Sequence, residues 1–303
     1  MTLHSTGVVV VFIQNHELAH GSNLVLSVSR SDGQTSLQKV VGGGRGCALR
    51  VDGPVAGIWI PLRGRLQLIT GDGECSLRPG ELRVTEPEAR VQAVGRGNAV
   101  WIALLGNPQQ WTSMLRRTSH APQPDPILLP ARHLATRDTR RRAIALARAM
   151  ANGSLDAASN ALIDSVMHLQ SEFAEAIARC PGRTFAQRRH VFLRLQRVRN
   201  YLASNCHLEL NNLALARMAN YSPWHFIRAF RAAYAETPHA LLVNLRLQRA
   251  RELLKTSPLA IAKIALASGF ENRCAFSRLF HQRFGVTAGA MRRQLQNPTY
   301  SSA

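Results

Sequence analysis

Two groups of residues have types and spacings that could do chemistry. The first is a set of mostly polar and basic side chains on two short segments near the C-terminus. It comprises Trp224, His225, Ile227, Arg228 and Arg231, then Asn272, Arg273, Cys274, Ser277, Arg278 and Gln282. An exposed guanidinium can donate to O6 and N7 of a guanine together, or clamp a phosphate. Arg273 suits the base contact, and Arg228 and Arg278 suit either. The second group is HELAH at 16–20, which matches H-E-x-x-H, where two histidines one helical turn apart hold zinc and the glutamate is a general base. That chemistry requires a helix, yet the segment lies between two strand-like runs with Gly21 directly after it. Asn23 and Leu26 stand where the extended form of the motif has glycine and histidine, and the next acidic residue is Asp32. We read a turn carrying polar residues, with Glu17 solvated, and assign no catalytic residue and no metal.

The element that must position the first group is a motif written twice. Phe226, Phe230 and Tyr234 recur fifty residues later as Phe276, Phe280 and Phe284, and Arg228 recurs as Arg278. Spacing of i, i+4, i+8 stacks the aromatics down one helix face and leaves the first group on the outer face. An Ala-rich amphipathic segment precedes each copy: Leu213, Leu215, Ala216, Ala219 and Asn220, then Ala262, Ile264, Ala265, Ser268 and Gly269. The offset is 49 residues in these leading segments and 50 in the trailing ones, so the second turn is one residue longer. Gly269 suits the left-handed end of a helix, and Asn220 is the next best residue for it. Ser222-Pro223 reads as an N-cap and first helical residue, and Glu271-Asn272 offers caps to the second copy. The pattern predicts a tandem helix-turn-helix. Residues 238–254 carry apolar residues at helical spacing and predict one linker helix. Its 240–254 stretch would span about 22 Å, enough to set two reading heads in successive major-groove segments about 34 Å apart.

On these residues, above all RLQRARELLKTSPLAIAKIALASGFENRCAFSRLFHQRFGVT at 246–287, the chain resembles the AraC/XylS family of transcription factors over residues 187–293. The resemblance implies a DNA-binding domain in which each unit inserts its second helix into a major groove. The family's contact positions fall on Trp224, Ile227 and Arg228, and on Arg273, Cys274, Ser277 and Arg278. The chain departs from the family pattern at Ala235, where glycine is usual, at Ala288, where proline is usual, and at Met291, where tyrosine is common.

Charge points the same way. Residues 183–293 hold 19 Lys+Arg against 4 Asp+Glu, whereas the rest of the chain holds 19 against 14. Such a basic segment is the footprint of phosphate binding, although charge alone would also suit RNA or an anionic membrane. Five cysteines, at 47, 75, 180, 206 and 274, are odd in number and form no C-x-x-C pair, which argues against a disulfide framework or structural zinc and fits a reducing cytosol. Cys274 is either a redox-sensitive thiol or simply a small residue on a helix surface.

Residues 1 to about 110 read as an antiparallel β domain, a sandwich or barrel, with strand-like runs VVVVFI at 8, LVLSVS at 24, GIWIPL at 57, RLQLIT at 65, ELRVT at 81, ARVQAV at 89 and NAVWIALL at 98. VVVVFI is too short for a signal peptide or a membrane span and reads as a buried strand. Gly64, Pro79-Gly80 and Pro87 give this region a resemblance to the cupin-like jelly roll of the same family. A cupin enzyme would want a compact set of histidines and carboxylates, yet residues 21–119 contain no histidine. GGGRG at 42–46 lacks the Lys-Ser/Thr of a P-loop and reads as a flexible hairpin loop. Trp59 and Trp101 either line a pocket or pack the core. Segments 138–151 and 155–179 read as helices that pack on the β domain or, as the resemblance implies, make a homodimer. Pro181-Gly182 marks a linker.

The sequence therefore predicts an α+β multidomain chain: a cupin-like β sensor domain over 1–130, a helical extension over 131–180, a linker over 181–186, and an all-α DNA-binding domain over 187–294. The expected function is a cytoplasmic transcription regulator that binds double-stranded promoter DNA, answers to a small-molecule effector, engages RNA polymerase and needs no cofactor. Two other readings are weighed against it. One is a cupin-type enzyme or carrier with DNA binding secondary; the other is an architectural protein with little sequence preference, against which two defined reading helices argue.

Overall fold

The computed structural model describes residues 13–27, 37–87, 90–118, 126–149 and 154–296. The chain divides into two compact units, residues 1–175 and 176–303. Of the apolar run at 8–13, only Ile13 falls within the described residues.

The first unit holds one sheet of nine strands: β1 (Ile13–Leu18), β2 (Asn23–Ser27), β3 (Leu37–Gly44), β4 (Ala48–Asp52), β5 (Ala56–Thr70), β6 (Gly73–Leu77), β7 (Glu81–Thr85), β8 (Val91–Gly106) and β9 (Ala131–Leu134). GIWIPL and RLQLIT are one strand, β5, and residues 91–94 run on with NAVWIALL as one strand, β8. Gly64, between the first two of these runs, is an irregularity within a strand. The β5·β8 register shifts between Pro61 and Arg63 and again between Arg63 and Arg65. Gly64 there has φ 70, and a Cβ on it would sit 2.8 Å from Ala99 Cα. Such bulges bend a strand without ending it. One half of β5 accordingly lies between β7 and β8, and the other half between β6 and β8.

The sheet is not purely antiparallel, because β1 pairs β3 and β2 pairs β4 in parallel. The cause is two stacked turns. Gly21 N donates to Arg45 O and Ala48 N donates to Ser22 O, both at 3.0 Å. Laying the β1–β2 unit beside the β3–β4 unit pairs like with like.

One sheet face packs under α1 (Pro108–Thr118), α2 (Arg137–Arg148) and α3 (Ser154–Gln170), with Ile58, Leu82, Val84, Ile102 and Leu104 meeting Trp111, Leu146, Leu162 and Val166. The alternate residues of the same strands gather in a second cluster around Trp59 and Trp101. Both tryptophans are fully buried, with centroids 6.3 Å apart. Trp59 Nε1 donates to Thr85 Oγ1 at 3.1 Å and Trp101 Nε1 to Cys47 Sγ at 3.3 Å. They pack the core. GGGRG is likewise not a flexible loop: Gly42–Gly44 end β3, and a Cβ on Gly42 would lie 2.2 Å from Trp101 Cε2.

HELAH is neither a helix nor wholly a turn. His16, Glu17 and Leu18 finish β1, and Ala19 and His20 lead into the turn. Extended backbone carries the two imidazoles apart instead of stacking them. His16 Nε2 bonds Gln38 Oε1 at 2.7 Å, and His20 Nδ1 accepts from Arg45 N at 3.1 Å.

Lys39 on β3 is fully buried on the helix-covered face, and its Nζ donates to Ala149 O, just past α2, at 2.8 Å. Burial holds this ammonium below its ordinary value, against the opposing pull of Glu17. The predicted helix 155–179 breaks at Ser171-Glu172 into α3 and α4 (Phe173–Arg179). There Ser171 Oγ donates to His168 O at 2.7 Å, the local bonding by which serine competes with helix continuation.

The second unit is helical. Pro181-Gly182 interrupts the helices between α4 and α5 (Phe185–Asn205), whereas the division into compact units falls within α4. Thr184 and Gln187 form a capping box at the start of α5. There follow α6 (Asn212–Met218), α7 (Pro223–Tyr234), α8 (Pro238–Thr256), α9 (Ile261–Ala267), α10 (Arg273–Phe284) and α11 (Ala288–Gln296). Both ends of α6 recur in α9 with an offset of 49, and both ends of α7 recur in α10 with an offset of 50. Among the described residues, no helix is long and apolar enough to cross a membrane.

Candidate nucleic-acid interface

The aromatic stripes bury as their period demands. Phe226 and Phe230 on α7, and Phe276 and Phe280 on α10, are 0% exposed. Adjacent rings stack down each helix, with centroids 5.7 and 4.7 Å apart from Phe226 through Phe230 to Tyr234, and 5.4 and 4.6 Å apart from Phe276 through Phe280 to Phe284. Tyr234 Oη also donates to Gln196 Oε1 on α5 at 2.8 Å, and burial pushes its phenol pKa far up. In the second copy α8 and α9 complete the core through Leu247, Ala250, Leu254, Ile264 and Ala265.

The turns carry the predicted left-handed residues. Asn220 has φ 57 and Gly269 φ 90, and Ala235 takes φ 59 at the end of α7 where Gly285 takes φ 73 at the end of α10. Helix starts differ from expectation in one detail. Ser222 makes no capping bond, and its Oγ meets His225 Nδ1 at 2.8 Å instead.

Burying the stripes leaves the predicted reading residues outside. On α7, Trp224, His225, Arg228 and Arg231 are exposed and Ile227 is half-buried. The Arg228 guanidinium lies 5.4 Å from the Trp224 ring, which is 63% exposed. Trp224, Ile227, Arg228, Arg231, Ala232 and Thr237 line an open groove of about 490 Å³. On α10, Arg273, Cys274, Ser277, Arg278 and Gln282 are exposed. Asn272 is exposed too, but its Oδ1 accepts from Cys274 N at 2.8 Å and Ala275 N at 3.0 Å, so that oxygen is spent on capping α10. His281 shares this outer face, one turn after Ser277, and its spacing could have placed it in the set. Exposed donors on a helix narrow enough for the major groove can reach base edges there. The flanking arginines can meet phosphates.

Residues 215–294 match the model of a helix-turn-helix domain family. This is an AraC/XylS-type DNA-binding domain. The chain is 40% identical over 85 residues to the HTH-type transcriptional regulator GlxA of Rhizobium meliloti, a match covering 28% of this chain and 26% of that protein. To the MmsAB operon regulatory protein of Pseudomonas aeruginosa it is 29% identical over 96 residues, covering 32% and 31%. The chain thus spans only about a quarter to a third of these relatives' own length. Among solved structures, the DNA-binding domain of the global transcriptional factor AdpA in complex with a target DNA matches at 26% identity and TM-score 0.33, covering 35% of this chain and 97% of that one.

Proposed function

We propose that the chain is a sequence-specific DNA-binding transcription regulator that reads promoter DNA with α7 and α10. The observation that carries this reading is the pair of AraC/XylS-type heads, each with the first two rings of its aromatic stripe fully buried and its arginine-bearing face exposed. Trp224, His225, Ile227, Arg228 and Arg231 form the first reading face. Arg273, Cys274, Ser277, Arg278 and Gln282 form the second, with Asn272 capping it. The β domain, read as cupin-like, would supply control through a small-molecule effector or self-association, acting by different affinity for two regulatory states. RNA polymerase is the expected partner at the promoter, and the cytoplasm the expected compartment. The reading involves no reaction: HELAH is split between a strand and a turn, and its two histidines hold different partners.

The test is selection of binding sites from random DNA by the full chain, followed by titration over a range of salt. The expected result is a two-part site with half-sites about 10 bp apart and an affinity that falls steeply with salt. Enrichment of no sequence would favour an architectural protein, and absence of binding at low salt would refute both.

A further inference from the structure

One face of α8 carries two arginines that bond to backbone on opposite sides of the helix-turn-helix pair. Arg246 Nε donates to Cys206 O at 2.8 Å, and its Nη2 donates to Leu208 O at 2.9 Å. Both carbonyls belong to the segment that leaves α5 and enters α6, the leading helix of the first head. Arg249, three residues on and therefore on the same face, donates from Nε to Ala267 O at 3.0 Å, at the end of α9 in the second head. Carbonyls at a helix C-terminus lack intrahelical partners and carry the negative end of the helix dipole, so a guanidinium suits both places.

The two heads also meet at this point. Gly269, in the turn between α9 and α10, lies so close that a Cβ on it would sit 2.8 Å from Arg246 Nε, 2.9 Å from Cys206 O and 3.1 Å from His207 Cα. The turn of the second head thus abuts the α5–α6 segment of the first, with Arg246 between them. Burial, and after it the charge of Arg249, hold the His207 imidazole below its ordinary value.

We propose that Arg246 is a positioning residue that fixes the setting of one reading head against the other, so that the chain reads its two half-sites at a single spacing. A helix joined at each end to a small core leaves each head some freedom to tilt about its axis. A planar guanidinium with two of its N–H groups on carbonyls two residues apart removes that freedom, because both bonds hold only in one orientation. One base pair of extra spacing turns the second half-site by about 34° and moves it about 3.4 Å. A braced pair of heads cannot follow that change, and an unbraced pair can.

The inference rests on the DNA reading proposed above and is tested apart from it. With the full chain and the two-part site obtained by selection, affinity is measured for that site, for versions lengthened or shortened by one base pair, and for each half-site alone. The wild type is expected to lose about tenfold or more at either altered spacing, comparable to a mismatched base pair. Arg246→Met is expected to lose less than about threefold there while keeping wild-type affinity for each half-site, an outcome that general weakening of the fold would not produce. Should Arg246→Met fail to fold, Arg246→Gln, whose single amide cannot reach both carbonyls, carries the same expectation. A wild type indifferent to spacing, or an Arg246 variant with the wild-type spacing profile, overturns the proposal. Absence of binding to any of these DNAs would instead overturn the DNA reading itself.

Discussion

Replacing Phe280 by alanine separates the inward and outward faces of α10 more sharply than any other single change. Phe280 is 0% exposed, and its ring contacts those of Phe276 and Phe284 at centroid distances of 5.4 and 4.6 Å. Truncating a fully buried phenylalanine costs about 3–5 kcal/mol through lost transfer energy and the cavity left behind. The two aromatic contacts favour the upper part of that range, since such pairs add about 0.5–1.5 kcal/mol beyond area burial. A domain of this size has a total stability of about 5–15 kcal/mol. One kcal/mol shifts the midpoint of such a unit by about 3–6 °C, so the expected fall is about 10–30 °C. Calorimetry on the full chain measures it, with Arg278→Ala as the control, because exposed Arg278 should move the same transition by less than about 0.5 kcal/mol. If Phe280→Ala melts with the wild type yet no longer binds DNA, the stripe faces outward and the assignment of the reading face is reversed.

Three further outcomes follow from particular residues. Arg273→Ala should weaken DNA binding by about 1–3 kcal/mol and relax preference at one base pair, as read by repeating the selection; a uniform loss across sequences would mean a phosphate contact. Ala235→Gly should raise the melting temperature by the equivalent of about 0.5–1 kcal/mol, because Ala235 holds φ 59, a backbone that glycine adopts without a Cβ penalty; no gain would mean that the local backbone relaxes the strain. Lys39 has a folded pKa depressed below its unfolded value of 10.5, so the unfolded state binds the extra proton between those two values, and stability gains with rising pH across that window. Denaturant titrations of wild type and Lys39→Met should show this gain in the wild type alone, and parallel pH profiles would refute it.

The helical unit was legible because its signals are local. A stripe at i, i+4, i+8 fixes which face turns inward, and writing it twice removes the ambiguity that a single short helix would leave. The difference between offsets of 49 and 50 located the extra turn residue, which lies between α9 and α10. Asn220 and Gly269 could be placed because left-handed backbone is a demand on single residues. The braces on α8 gave no such signal. Arg246 and Arg249 bond to main-chain carbonyls 40 and 18 residues away, and a carbonyl leaves no trace in the identity of its residue.

The β unit shows the converse, since its architecture depends on partners far apart in sequence. The runs on either side of Gly64, and those on either side of Gly97, read as separate strands, because a positive φ serves a hairpin and a bulge equally. Only the partner strand decides between the two. For β5 and β8 that partner is the other strand, which continues past the irregularity on both sides. The parallel pairing of β1 with β3 follows from two turns stacking across about 25 residues of chain, a choice that no alternation of apolar residues records. Lys39 stands on the face covered by helices, where Ala149 O receives it. Its burial depends on where α2 ends, 110 residues away, so a sequence window around β3 could not have disclosed it.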